Sequence, residues 1–124
     1  MTNSLQAKMQ TVTDKLNSFA DLPPNWDSYG SVPISLDIRD RAKATMKDIL
    51  DIGGENMPLP FIAPMGDGGV EFEWQLETGH ELMLTIPPDG SIQFLLDEPG
   101  SETEGVIGEI VSLEQVIKRF LGVP

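Results

Sequence analysis

The spacing of the apolar residues changes near residue 59, and this change constrains the fold more than any other feature of the chain. Before it, apolar side chains recur every three or four residues, as in helices; after it, they alternate with polar side chains, as in strands with one buried face. The length of 124 residues, 40 % of them hydrophobic, fits one globular domain over residues 1–124. The sequence therefore predicts a single α+β domain.

Two helices are predicted in the first half of the chain. The apolar stripe of the first helix consists of Leu5, Met9, Val12, Leu16 and Phe19. This helix ends before Pro23, which cannot continue it. The second helix begins after Pro33 with Ser35 as its N-cap, and Gly53 and Gly54 end it. Its apolar stripe consists of Ile38, Ala42, Met46, Ile49 and Leu50.

An antiparallel meander of three strands is predicted after residue 69. These strands bury Val70, Phe72, Trp74 and Leu76, then Leu82, Leu84 and Ile86, then Ile92, Phe94 and Leu96. Each of the two three-residue loops ends in a glycine, Gly79 or Gly90, as a left-handed loop position requires. The loop lengths set the register. The pairs predicted to lie opposite each other are Trp74 and Leu82, Phe72 and Leu84, Leu84 and Phe94, and Ile86 and Ile92.

Segments on either side of the meander complete the predicted architecture. Residues 60–65 are predicted to form a fourth strand, which two prolines confine to the sheet edge. Residues 97–105 have turn composition and are predicted to form a mobile loop. A last helix is expected to begin at Ser112, which has capping-box spacing to Gln115. We thus expect two N-terminal helices, a four-stranded antiparallel meander and a C-terminal helix, with the helices on one sheet face.

The net charge of −12 comes from one part of the chain. Residues 48–117 contain fifteen acidic residues and no lysine or arginine, whereas residues 1–47 contain six basic and five acidic residues. A negative field repels phosphate backbones and anionic membranes, so we expect no direct nucleic acid or membrane contact. The same field attracts a basic protein partner. Solubility alone is the other interpretation of this acidity.

Residue types that carry catalysis or bind metals are scarce. The chain has no cysteine, and its one histidine, His80, follows Gly79 at a hairpin tip, where we expect exposure rather than a dry catalytic pocket. Asp97, Glu98, Glu102 and Glu104 crowd one segment without the spacing of a calcium loop. The sequence predicts a protein that is not an enzyme and has no cofactor or metal. A divalent-metal enzyme built on these carboxylates is a third alternative.

Targeting and membrane segments are not predicted. The first residues contain no apolar run of signal-peptide length, and no window approaches the ~20 apolar residues of a membrane span. We therefore expect a soluble, cytoplasmic protein.

Two surfaces are candidates for partner binding. Trp26 and Tyr29 lie in a proline-rich connector, where they either anchor an interface or fold back to fill the gap between helices and sheet. We expect the second, with Asp27 forming an Asx turn. On the outer sheet face, the register puts Glu71 opposite Thr85, Glu73 opposite Met83, and Met83 opposite Leu95. These pairs predict an acidic face with an apolar centre.

Two motifs resemble those of a group of small, uncharacterised bacterial and phage-encoded proteins. The first is Pro23-Pro-Asn-Trp-Asp-Ser-Tyr-Gly30, which matches P-x-N-W-D-x-Y-G, and the second is Asp67-Gly-Gly-Val-Glu-Phe-Glu-Trp74, which matches D-G-G-x-x-x-E-W. A helix between them and a final P-D-G hairpin follow the same order, so the resemblance spans residues 22–96. It implies no assigned activity. It implies an accessory protein of the mobile gene pool, where antitoxins, immunity proteins and inhibitors of host defence are common.

The first hypothesis is therefore a non-enzymatic binding module with an acidic surface for a basic partner. The partner-binding residues expected for it are Trp26, Tyr29, Glu71, Glu73, Met83 and Leu95. The alternative is a structural or scaffold subunit that forms a homodimer or larger homo-oligomer through its sheet face.

Overall fold

The computed structural model describes residues 3–108 and 111–123. Its main elements, in chain order, are helix α1 (Asn3–Ser18), helix α2 (Leu36–Gly53), strands β1 (Phe61–Pro64), β2 (Val70–Gln75), β3 (Glu81–Ile86), β4 (Gln93–Glu98) and β5 (Ser101–Val106), and helix α3 (Leu113–Leu121). Short 3-10 turns follow α1 at Phe19–Asp21 and α2 at Gly54–Asn56. Among the described residues, no helix is long and apolar enough to cross a membrane. The α+β fold class is confirmed.

The helices begin where the capping signals predict. The Ser35 hydroxyl accepts a hydrogen bond from the Ile38 backbone N–H at 3.2 Å, which starts α2. Ser112 and Gln115 form the predicted capping box of α3: the Ser112 hydroxyl accepts from the Gln115 N–H at 3.1 Å, and the Gln115 side chain accepts from the Ser112 N–H at 2.8 Å. Local sequence therefore fixes both starts.

All five strands form one antiparallel sheet in the order β1-β2-β3-β4-β5. The predicted pairs of Trp74 with Leu82, Phe72 with Leu84, and Leu84 with Phe94 are confirmed. The two loop glycines have the left-handed φ that the predicted hairpins require, 91° at Gly79 and 81° at Gly90. The paired residues of β3 and β4 end at Thr85 and Gln93. The predicted pair of Ile86 and Ile92 would follow next in this register, and both residues are buried.

The prediction of a four-stranded sheet with a mobile loop at residues 97–105 is wrong. This segment turns at Pro99-Gly100 and returns as β5, which pairs with β4 along its whole length. β5 was not predicted from its composition, because the residues that it directs to the inner face of the sheet are small or polar rather than apolar. At one of them, Gly105, an added Cβ would lie 3.1 Å from the Phe94 ring, so the ring of the neighbouring strand occupies the space an apolar side chain would fill.

One core fills the space between the helices and the inner face of the sheet. Alternate residues of β2, β3 and β4 enter it and join apolar residues of all three helices. At its centre, the rings of Phe72 and Trp74 stack with centroids 5.8 Å apart. The Trp74 indole N–H donates to the carbonyl oxygen of Pro58 at 3.0 Å, so its one polar atom is satisfied while the side chain is buried. The helices therefore cover one sheet face, as predicted.

Candidate functional site

Six carboxylates share the sheet face that points away from the helices. The strand register places them on β2 to β5, and they are Glu71, Glu73, Glu81, Asp97, Glu102 and Glu104. We call this surface the acidic face. Asp97 and Glu102 lie directly opposite each other, and at the ~5 Å between Cβ atoms of such a pair like charges repel. The predicted position of Glu71 opposite Thr85 is confirmed.

The centre of the acidic face is apolar. Met83 lies opposite Glu73 on one side and Leu95 on the other, as predicted, and Met83 and Leu95 are both half-buried. Phe61 on β1 extends the same row beyond Glu73, and 65 % of its surface is exposed. Phe61 was not among the predicted site residues, because the sequence of this short edge strand does not set its register. Exposed apolar side chains grouped on one face are typical of a surface that contacts another molecule.

The local environment of Glu71 is unfavourable to its charge. Glu71 and Glu73 are two positions apart on β2 and therefore project from the same face. Partial burial raises the pKa of Glu71 above its usual value of 4.5, and the charge of Glu73 and a hydrogen bond with Glu73 raise it further. A cationic side chain placed beside the pair would oppose this rise by stabilising both charged forms.

No cation among the described residues neutralises the acidic face. Residues 48–117, which include all five strands, contain no lysine or arginine. The Lys and Arg ion pairs of the described residues involve other carboxylates: Lys43 with Asp40, Lys118 with Glu114, and Arg119 with Glu98. The six carboxylates therefore produce a one-sign field that favours positively charged molecules.

The two aromatic residues of the connector after α1 have different environments. Trp26 is half-buried and its indole N–H donates to the carbonyl oxygen of Val32 at 3.0 Å. Tyr29 is 91 % exposed. Neither belongs to the hydrophobic core, so the prediction that both fill the gap between helices and sheet is wrong. Trp26 closes its own loop, and this leaves Tyr29 as an aromatic side chain in solvent.

Polar groups hold the loop that presents Tyr29. Asp27 Oδ1 accepts from the Tyr29 backbone N–H at 2.8 Å, which confirms the predicted Asx turn. Hydrogen bonds from the Ser31 side chain and from the Tyr29 backbone lower the pKa of Asp27. Asn25 and Ser28 have left-handed φ values of 62° and 66°, an unusual conformation that these bonds maintain.

The structure brings four of the predicted partner-binding residues together and separates the other two. Glu71, Glu73, Met83 and Leu95 share the acidic face. Trp26 and Tyr29 belong to a separate loop, which contacts the β1–β2 turn through a hydrogen bond from the Val32 N–H to the Gly66 carbonyl oxygen at 2.9 Å.

A charged cluster on the helix side of the sheet was not predicted. Glu98 Oε1 lies 2.7 Å from Arg119 Nη2 of α3, and Glu98 Oε2 lies 3.9 Å from His80 Nε2. The contact with Arg119 is an ion pair without hydrogen-bond alignment. His80, which was expected to be exposed, is half-buried, and its Nδ1 lies 2.8 Å from the Thr78 hydroxyl. The cluster links α3 to the sheet, and no local pattern could reveal it because its members are far apart in the chain.

The carboxylates of residues 97–104 do not form a metal site within the described parts of the chain, where no group of three or more metal-ligating side chains is close enough to hold an ion. The hairpin divides them, since Glu98 projects towards the helices and the other three towards the outer face.

Comparisons of the chain with protein-family models, with curated proteins and with solved structures found no match.

Proposed function

We propose that this chain is a non-enzymatic protein-binding module that docks its acidic face onto a basic surface of another protein. One observation carries the proposal: six carboxylates without a cationic partner among the described residues surround the apolar centre of Met83 and Leu95 on a sheet face that the helices leave open. The charges would speed association with a basic surface, and the apolar centre would supply the buried contact that slows dissociation. Both components of a specific interface are thus present on one face.

The class of partner follows from the sign of the charge. Proteins that bind nucleic acid carry basic surfaces, and these are complementary in charge to the acidic face. The resemblance to small bacterial and phage proteins favours an antitoxin, an immunity protein or a phage inhibitor that acts on such a target. The exposed Tyr29 offers a second anchor on a fixed loop, since aromatic side chains dominate many interface centres.

Self-association through the same face is the second candidate, and the exposure of Phe61 favours it. A two-fold interface would bring two acidic faces together, and repulsion between them opposes this arrangement. Sedimentation velocity at about 0.1 M and 1 M salt distinguishes the two, because salt screens the repulsion. A dimer at high salt that Met83→Glu abolishes supports self-association, whereas a monomer at both salts supports a different protein as partner.

The proposal is tested by affinity capture with two variants of equal net charge. Glu73→Gln with Glu81→Gln removes two charges from the acidic face. Asp48→Asn with Asp51→Asn removes two charges from the exposed side of α2, on the helix layer. Each tagged protein is incubated with lysate of the natural host at about 0.1 M salt, and bound proteins are quantified by mass spectrometry.

We expect the wild type and the α2 variant to retain the same basic protein in stoichiometric amount, and the face variant to lose most of it. Equal retention by all three proteins would contradict docking through the acidic face. Equal loss from both variants would mean that net charge alone determines retention.

A further inference from the structure

The backbone of β5 has a free edge. β5 is the last strand of the sheet and pairs only with β4. The Ile107 N–H donates to the Ile92 carbonyl oxygen at 2.8 Å, which fixes the phase of the β4–β5 ladder, because hydrogen-bonded pairs alternate along an antiparallel ladder. The residues whose backbone N–H and C=O groups point away from β4 in this phase are Glu102, Glu104 and Val106. At Glu102 and Glu104 these groups form no hydrogen bond with another described residue. At Val106 the edge is closed, because the parallel bridge of Ile107 with Val111 directs the Val111 N–H to the Val106 carbonyl oxygen.

The opposite edge of the sheet is less suited to accept another strand. β1 has four residues, Pro60 precedes it, and its last residue is Pro64, which has no N–H to donate. β5 has six residues and contains no proline. Of the two edges, β5 is therefore the one that can extend the sheet.

The side chains of β5 indicate what the added strand would carry. Those of Glu102 and Glu104 project onto the acidic face. Residues of an added strand directly opposite them would project from the same face, about 5 Å away between Cβ atoms, where Lys or Arg pairs favourably with Glu. A second copy of β5 would instead place Glu beside Glu, so self-pairing is disfavoured.

The other side of an added strand would face a groove between β5 and α3. This groove is lined by Leu96, Thr103, Val111, Val116 and Arg119, among others. Phe94 adds to its apolar lining and Gln115 to its polar lining, and the apolar residues form the larger part. An apolar residue between the two cationic positions would therefore fit it. The expected segment is thus an alternation of basic and apolar residues.

We propose that β5 binds an extended segment of the partner as a sixth, antiparallel strand, with Lys or Arg opposite Glu102 and Glu104 and an apolar residue between them. The inference rests on the proposed function and specifies how the partner is held. Main-chain hydrogen bonds to the β5 edge would provide affinity, and the alternating side chains would provide specificity.

The test uses a capped eight-residue peptide in which lysine alternates with valine, and a second peptide that is identical except for methylated backbone nitrogens at the lysines. Both peptides carry the same charge, but only the first can pair with a strand through its lysine N–H groups. Binding to the wild-type chain is measured by calorimetry, and backbone amide exchange is measured by NMR.

Two variants of the chain separate backbone pairing from charge. Glu104→Pro removes an N–H that β4 does not use, so the β4–β5 hairpin can persist, and circular dichroism checks that it does. Glu104→Gln keeps that N–H and removes the charge. We expect Glu104→Pro and the methylated peptide each to weaken binding at least tenfold, and Glu104→Gln to weaken it only a few-fold. The unmethylated peptide should slow exchange of the amides of residues 102 and 104.

Equal binding of the two peptides to the wild-type chain would overturn strand addition, and this comparison does not depend on the folding of any variant. Failure of the unmethylated peptide to bind would overturn it as well. Neither result affects docking through the acidic face, because that proposal is tested by the capture experiment with Glu73 and Glu81 variants. Loss of strand addition and loss of the proposed function are therefore distinguishable.

Discussion

The two faces of the sheet are built from the same strands but have opposite properties. On the inner face, Phe72, Leu84 and Ile86 have no exposed surface. On the outer face, the residues between them are acidic or half-buried, as at Glu71 and Met83. One alternation along the chain thus produces both the core and the charged surface. Since the two faces use different residues, substitutions can change the stability of the fold and the acidic face separately.

The largest expected effect is the difference in stability loss between a substitution on the inner face and one on the outer face. Phe72→Ala should lower the free energy of unfolding by about 3–5 kcal/mol, because it leaves a cavity in the core. Met83 lies on the outer face of the adjacent strand, where no helix of the described residues covers it. Met83→Ala should therefore lower the free energy of unfolding by less than about 1 kcal/mol. Urea unfolding monitored by circular dichroism measures both. Similar losses at the two positions would show that the outer face is covered in solution, as self-association requires.

The second comparison is between carboxylates on the two faces. Glu98→Gln should destabilise the fold by about 1 kcal/mol, because Arg119 on α3 loses its ion-pair partner near the core. Glu81→Gln on the acidic face should change stability by less than about 0.5 kcal/mol, since Glu81 is exposed and has no cationic partner among the described residues. Thermal unfolding of the two variants gives the difference. A larger loss at Glu81 than at Glu98 would reverse the roles assigned to the faces.

The smallest expected effect concerns the repulsion within the acidic face. Because the pKa of Glu71 is raised in the folded state, the folded chain binds more protons than the unfolded chain near that pKa, and stability falls as the pH rises through it. The Glu71→Gln variant has no carboxyl group at this position to ionise, so its stability does not fall in this way. At pH 7 it should be more stable than the wild type by a few tenths of a kcal/mol. The gain should disappear below the usual carboxyl value of 4.5. Urea unfolding at pH 3.5 and 7 measures it, with Asp48→Asn as the control; a gain that is the same at both pH values would contradict the repulsion.

The sequence predicted the elements that combine local signals with a clear period. Ser35 and Ser112 cap α2 and α3 and so determine where these helices begin. The glycines of the two hairpins determine the turns and, through the loop lengths, the strand register. None of these signals depends on a tertiary contact. β5 was missed because an edge strand with a charged outer side needs no apolar alternation. Its partner strand supplies the packing, as Phe94 does over Gly105.

The candidate site was predicted where it depends on register and missed where it depends on long-range contacts. Glu73, Met83 and Leu95 come together because strand pairing is determined by short loops. The position of the Trp26 side chain depends on a hydrogen bond within its own loop, which is an alternative to burial in the core. Residue type alone does not show which of the two positions is more stable. Phe61 required the register of a short edge strand, which carries little pattern.

The most direct test of the acidic face is the association rate constant of the captured partner, measured by stopped-flow at about 0.1 M and 1 M salt. The proteins compared are the wild type, Glu73→Gln with Glu81→Gln, and the α2 control Asp48→Asn with Asp51→Asn. We predict that the face variant associates about tenfold more slowly at low salt, that the control changes by less than about twofold, and that the difference vanishes at high salt. Equal rates for the two variants at low salt would contradict docking through this face.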